Sequence, residues 1–244
     1  MYLMKKDKVI TCGWQATLKC NSRCESCKSY ILAKKTPDVL NYTDVLNILD
    51  QLKEMGVRYF AITGGEPLLR KDLEYIVEYA LNKTKLKVIL STNGILIDKN
   101  IHWLKKMKKL IITVSLDAFD KKTYKKIRGV DVFEKVIDNI LNLNDCLSPY
   151  QLRIFSTISP VNCDYIFDII TFCKKNKIAW SGNLYYGGAK DTLFELNKEL
   201  SINSYPIEVK NKMLSLLKSK TSCITNIRVK NEYCFSECVR ITIT

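Results

Sequence analysis

Histidine is nearly absent: the 244 residues contain one, His102. Imidazole acid–base chemistry would therefore rest on a single side chain. His102 lies beside Trp103 in NIHWLKK and reads as a surface or packing residue of a helix. Nor is there an apolar run of roughly eighteen residues, the least that a membrane-spanning helix needs. No long apolar stretch follows the lysines of MYLMKKDKVITCGW, so a secretory signal is not expected and a cytoplasmic location is. Strong internal repeats and low-complexity linkers are missing too. Acidic residues are scarce relative to basic ones, 25 against 39, for a net charge of +14. That balance can suit nucleic acid or another anionic partner. The lysines, however, fall in scattered pairs such as Lys34–Lys35, Lys105–Lys106 and Lys174–Lys175, which read as polar helix faces. Charge alone does not call for a nucleic-acid partner.

Cysteine, by contrast, is plentiful. Ten cysteines stand at 12, 20, 24, 27, 146, 163, 173, 223, 234 and 238, bunched towards the two ends of the chain. A secreted disulfide scaffold would be short and would carry a signal. Metal ligation in a reducing compartment suits this distribution better.

Apolar runs alternate with amphipathic stretches. The expected strands are Lys8–Gln15, Val57–Thr63, Leu86–Ser91, Leu110–Leu116, Gln151–Ser156 and Ile178–Tyr185. Several are continuous apolar runs, such as LIITVSL at 110–116, the pattern of strands buried on both faces of a parallel sheet. Helices are expected at Thr43–Met55, Lys71–Leu81, Lys99–Met107, Val132–Leu143 and Asn162–Lys175, the first with Thr43 as N-cap and Gly56 as its stop. Strand–helix alternation with short connections implies right-handed βαβ units. Six such units are too few for a closed eight-unit barrel, which leaves an open partial barrel or a doubly wound sheet. The expected fold class is α/β: a partial (β/α)6 TIM-like barrel over residues 1–200, with a short cysteine-bearing C-terminal extension over 201–244.

Residues 20–28 read CNSRCESCK and place Cys20, Cys24 and Cys27 at C-x3-C-x2-C spacing. Thiolates are the usual iron–sulfur ligands. Three sulfurs on one tight loop can take three corners of a 4Fe–4S cubane and leave one iron open to bind another molecule. The competing readings are buried free thiols and a zinc site with Cys12 as a fourth ligand, although structural zinc prefers two pairs of ligands. Gly64–Gly65–Glu66–Pro67 follows VRYFAIT, Ser91–Thr92–Asn93–Gly94 follows KVIL, and Ser115 and Asp117 end LIITVSLD. Ligands of α/β sheets bind at strand C-terminal ends. Paired glycines allow close backbone approach, Glu66 adds a negative charge, and the hydroxyls, amide and carboxylate can hydrogen-bond sugar or amino-acid groups.

C-x3-C-x2-C after a first strand, then TGGEPLLR at 63–70, STNG at 91–94 and VSLDAFD at 114–120, resembles the radical S-adenosylmethionine (radical SAM) superfamily. The resemblance spans about residues 8–190. It is strongest to the branch that contains the molybdenum-cofactor cyclase and the peptide-modifying enzymes. It implies a 4Fe–4S cluster on Cys20, Cys24 and Cys27, and SAM held through Gly64, Gly65, Glu66, Pro67, Ser91, Asn93, Ser115 and Asp117. Arg128 would pair with the methionyl carboxylate, with Arg70 as a second candidate. The implied chemistry is reductive cleavage of SAM to a 5′-deoxyadenosyl radical that abstracts hydrogen from a substrate. That substrate would be a ribosomally made peptide or, alternatively, a small molecule of cofactor biosynthesis. The electron would come from a donor such as flavodoxin or ferredoxin. The sequence departs from the family at Ser26, where an aromatic residue usually precedes the third cysteine; Tyr30 is the nearest replacement. Cys223, Cys234 and Cys238, in CITNIRVKNEYCFSEC, resemble the start of a SPASM or twitch extension and are candidate ligands of an auxiliary iron–sulfur cluster. The readings outside this class are an iron–sulfur electron carrier and a zinc- or iron–sulfur-stapled nucleic-acid-binding protein. Metal analysis with an absorbance spectrum separates them.

Overall fold

Strand order follows chain order. In the computed structural model, β1 (Thr11–Gln15), β2 (Tyr59–Thr63), β3 (Lys87–Thr92), β4 (Ile111–Ser115), β5 (Leu152–Ile158) and β6 (Ala179–Leu184) pair side by side, all parallel. A seventh strand, β7 (Arg240–Ile243), runs antiparallel along β6. The structure describes residues 11–184 apart from 28, 39 and 160, together with 207, 211 and 240–243. The boundary expected near residue 200 lies outside them, as do Cys223, Cys234 and Cys238 and the residues 185–188.

This order decides between the two expected architectures. Right-handed crossovers between strictly consecutive strands place every helix on one face, whereas a doubly wound sheet reverses direction at a switch point. Burial along β5 alternates strictly: Leu152, Ile154, Ser156 and Ile158 are buried, while Arg153, Phe155 and Thr157 are half-buried. β2, β3 and β4 alternate in the same way. The fully buried face packs against the helices α2 (Tyr42–Glu54), α3 (Leu73–Tyr79), α4 (Ile97–Leu104), α6 (Phe133–Cys146) and α7 (Ile166–Lys175). The other face is the concave wall of an open, partial barrel. No helix among the described residues is long and apolar enough to cross a membrane.

Local chemistry explains most element ends. α2 starts two residues earlier than Thr43 as N-cap suggests. Asn41 is its N-cap and forms a capping box with Asp44, each side chain accepting the other residue's backbone N–H. The stop at Gly56 is as expected, with φ of 77°. α3 gives way to a single π-helical turn, Ala80–Thr84. α1 (Ser29–Leu32) and α5 (Lys121–Arg128) have no counterpart in the hydrophobic pattern. α5 carries only Tyr124 and Ile127 as apolar residues, too few to register as a stripe. It forms because Asp120 accepts the Thr123 amide at its start and Gly129, at φ 67°, closes its end.

Candidate functional site

The cysteine loop is gripped from two sides by glycines. On one side the chain leaving β1 lies along Gly64–Glu66, with Gly65 N–H donating to Thr17 O at 2.7 Å and Glu66 N–H to Lys19 O at 2.8 Å. A Cβ on Gly64 would stand 2.3 Å from Thr17 O, and one on Gly65 2.2 Å from Lys19 O. These glycines thus serve a close approach, and what approaches is the backbone that leads into Cys20. On the other side Arg23 N–H donates to Arg128 O and Glu25 N–H to Ile127 O, both at 3.0 Å. Here a Cβ on Gly129 would meet Arg23 O at 2.3 Å. The last carbonyls of α5, left without intrahelical partners, are satisfied by the cysteine loop.

Glu66 is the hub beneath this loop. It is fully buried. Its Oε1 accepts from Leu68 N–H at 3.0 Å and Thr92 Oγ1 at 2.8 Å, and its Oε2 accepts from Asn93 N–H at 2.7 Å. Burial pushes its carboxyl pKa up, against the pull of those three donors. The carboxylate is therefore spent on binding the end of β2 to the end of β3. Asn93 extends the frame: its Nδ2 donates to Asn21 Oδ1 at 2.7 Å and Ser22 Oγ at 3.2 Å, and lies 3.9 Å from Cys20 Sγ. What Gly64 and Gly65 still present among the described residues is their carbonyl oxygens.

Each thiol of the triad has a donor from the chain. Ser22 N–H points at Cys20 Sγ at 3.4 Å, Ser29 N–H at Cys27 Sγ at 3.5 Å, and Arg128 Nη1 at Cys24 Sγ at 3.8 Å. Burial pushes the Cys20 and Cys24 thiols up, Cys24 against the pull of Arg128. Arg128 also donates through Nη2 to Asp117 Oδ2 at 2.7 Å, and both side chains are about nine-tenths buried. Burial works against Arg128's charge, but Asp117, Cys24 and Tyr124 together hold its pKa above the ordinary arginine value. Asp117 further accepts Thr157 N–H at 2.7 Å. In this structure Asp117 and Arg128 answer each other instead of facing open space.

The remaining expected residues fall as follows. Ser91 and Ser115 are half-buried on the concave face, and Pro67 is buried at the start of a 3-10 turn. Arg70 is absorbed by the frame: it makes two bonds to Asp72, donates to Ala16 O and Leu40 O, and stacks over Trp14. Tyr30 stacks under Arg23, with the guanidinium carbon 5.0 Å from the ring centre. Trp180 is buried core, its Nε1 donating to Ser156. His102 is an exposed helix residue 3.8 Å from Glu74. Sequence reasoning missed Thr92 as a site residue, and Asn21, Ser22 and Gly129 altogether. Gly129 had a signal, a glycine directly after the basic last turn KKIR.

The family model for the radical SAM superfamily matches residues 14–160. The chain belongs to the radical SAM superfamily. Among relatives, it is 32% identical over 164 residues to the GTP 3′,8-cyclase of Aliarcobacter butzleri, covering 65% of this chain and 50% of that one. A probable GTP 3′,8-cyclase of Methanococcus vannielii is 33% identical over 162 residues, at 65% and 53% coverage. The chain spans about half the length of the curated relatives it matches. Two solved structures share the fold. Streptococcus suis SuiB bound to S-adenosylmethionine superposes with a TM-score of 0.70 at 22% identity, over 86% of this chain and 47% of that one. The enzyme anSMEcpe with bound AdoMet gives 0.65 at 19% identity, over 86% and 59%.

A radical SAM protein is an enzyme, and the family binds a 4Fe–4S cluster and SAM. The residues present fit that cluster. Three thiols sit on one loop, each facing a hydrogen-bond donor that would stabilise a coordinating thiolate. Among the described residues no three Cys, His, Asp or Glu side chains converge as ligands of one ion would. A cubane takes its thiolates on separate corners, so it asks for a wider triangle than a zinc ion does.

Proposed function

We propose that this radical SAM enzyme holds its cluster on Cys20, Cys24 and Cys27 and binds SAM at the C-terminal ends of β2, β3 and β4. The observation that carries the reading is the double grip on the cysteine loop, which seats the three thiols over Gly64–Glu66, Asn93 and Asp117–Arg128. Cys20, Cys24 and Cys27 would hold the cluster, which would supply the single electron for reductive cleavage of SAM and so the 5′-deoxyadenosyl radical chemistry of the family. The electron comes from a donor of the flavodoxin or ferredoxin kind. The chain's own part is binding and orientation. The carbonyls of Gly64 and Gly65 suit the methionyl ammonium, Ser91 and Ser115 suit sugar hydroxyls, and Arg128 brings a positive charge to the carboxylate side. Its partner Asp117 keeps that charge in place.

For the substrate, the relatives favour a small molecule: those at about one-third identity are named for GTP. The peptide reading keeps the support of the +14 charge, which suits an acidic peptide. We further assign Cys223, Cys234 and Cys238 as candidate ligands of an auxiliary cluster in a C-terminal unit after residue 200. Anaerobic reconstitution with iron and sulfide, followed by dithionite and SAM, should yield 5′-deoxyadenosine. Its absence from a protein that has bound iron would refute the assignment.

A further inference from the structure

Three buried side-chain atoms among the described residues have no hydrogen-bond partner: Asp120 Oδ2, Tyr124 Oη and Arg128 Nε. All three belong to α5 or its N-cap and recur at every fourth residue, so they share one face of the helix. Tyr124 is 1% exposed, and its ring packs against Phe133 with 5.6 Å between centroids. Phenylalanine would fill the same space without the hydroxyl. A buried hydroxyl that finds no acceptor costs about 1–3 kcal/mol. The charged groups around the phenol are Arg128, Cys24 and Asp117. Asp117 is already engaged by Arg128 and by Thr157 N–H, and a guanidinium offers only donors. Cys24 Sγ has one distant donor, Arg128 Nη1 at 3.8 Å. Helical side chains lean towards the helix N-terminus, which carries Arg128 back over the turn that holds Tyr124. The phenol and Arg128 Nε are thus two buried donors near Cys24 that lack an acceptor.

We infer that the Tyr124 hydroxyl donates a hydrogen bond to a sulfur of the cluster on its Cys24 side and thereby eases reduction of the cluster. Sulfides and thiolates accept hydrogen bonds, and such bonds are among the factors that set an iron–sulfur potential. Reduction adds a negative charge, so a donor stabilises the reduced state more than the oxidised one. The inference rests on Cys20, Cys24 and Cys27 holding the cluster.

The test uses the full chain, reconstituted anaerobically with iron and sulfide, without SAM or substrate. A redox titration followed by electron paramagnetic resonance gives the midpoint potential of the intact protein and of Tyr124→Phe. The variant should bind as much iron. Its reduction equilibrium should shift about tenfold towards the oxidised cluster, ~59 mV lower for a one-electron couple. After reconstitution in deuterated buffer, pulsed resonance should find one strongly coupled deuteron fewer in the variant. Without the cluster, Tyr124→Phe should melt no lower than the intact chain, because the hydroxyl it removes has no partner in the protein. A shift below about twofold, or an unchanged deuteron signal, would overturn the inference; an ordered water between Asp120 and Tyr124 would give that result. A lower melting temperature of the cluster-free variant would overturn it too, by giving the hydroxyl a partner in the chain. An intact chain that takes up no iron would instead refute the cysteine triad, so the two failures are distinguishable.

Discussion

Arg128 and Asp117 form a buried ion pair, Nη2 to Oδ2 at 2.7 Å, directly behind Cys24. Removing one member of such a pair leaves an uncompensated buried charge. Asp117→Ala should therefore destabilise the fold by about 3–5 kcal/mol, read as a shifted urea midpoint at unchanged slope. The double variant Asp117→Ala/Arg128→Met should recover much of that loss. A single variant within about 1 kcal/mol of the intact chain would mean that the pair is not the buried contact seen here.

Gly65→Ala should strip the cluster. Its Cβ would collide with the Lys19 carbonyl at 2.2 Å, and that backbone leads straight into Cys20. Gly56→Ala is the control: φ there is 77° but nothing lies within 4 Å, so it should cost about 1 kcal/mol of stability and no iron. Equal iron in the two variants would break the proposed link between the glycine motif and the loop.

Much of this frame could be read from the sequence, and the limits have physical causes. The continuous apolar strands and the order of C-x3-C-x2-C, GGEP, STNG and SLD lead to the proposed site at the strand ends. α5 escaped notice because a helix with two apolar positions has no stripe to detect, and its caps, Asp120 and Gly129, carry the signal instead. The glycines and Glu66 look from sequence like ligand contacts. Packing shows Glu66 engaged by three protein donors and the glycines pressed against Thr17 and Lys19. No spacing rule reveals which of two available partners a buried carboxylate will take.

Cys173 supplies a pH prediction. Burial alone pushes its thiol from 9.0 to about 12. Between those values the unfolded chain releases a proton that the folded chain keeps, so stability present below pH 9 is lost as pH rises towards 12. Cys173→Ala should flatten the fall of unfolding free energy in that window by up to about 1.4 kcal/mol per pH unit. The cavity it leaves shifts stability equally at every pH. Parallel curves for the two proteins would contradict the assignment. Tyr124, pushed up to about 12 by burial, adds to the same alkaline loss.

His102 should be dispensable. Its side chain is 64% exposed and its nearest acid, Glu74, is 3.8 Å away. His102→Gln should leave iron content and SAM cleavage intact and change stability by less than about 0.5 kcal/mol. Loss of SAM cleavage in that variant would require an acid–base role that this geometry does not provide.

Iron bound per chain, measured beside reductive SAM cleavage in the intact protein and in Cys24→Ala, tests the triad most directly. Cys24→Ala should lose about four irons, one cubane, and all formation of 5′-deoxyadenosine, while a Cys223/Cys234/Cys238 triple alanine variant keeps that activity. Unchanged iron and undiminished cleavage in Cys24→Ala would contradict the assignment of the cluster to Cys20, Cys24 and Cys27.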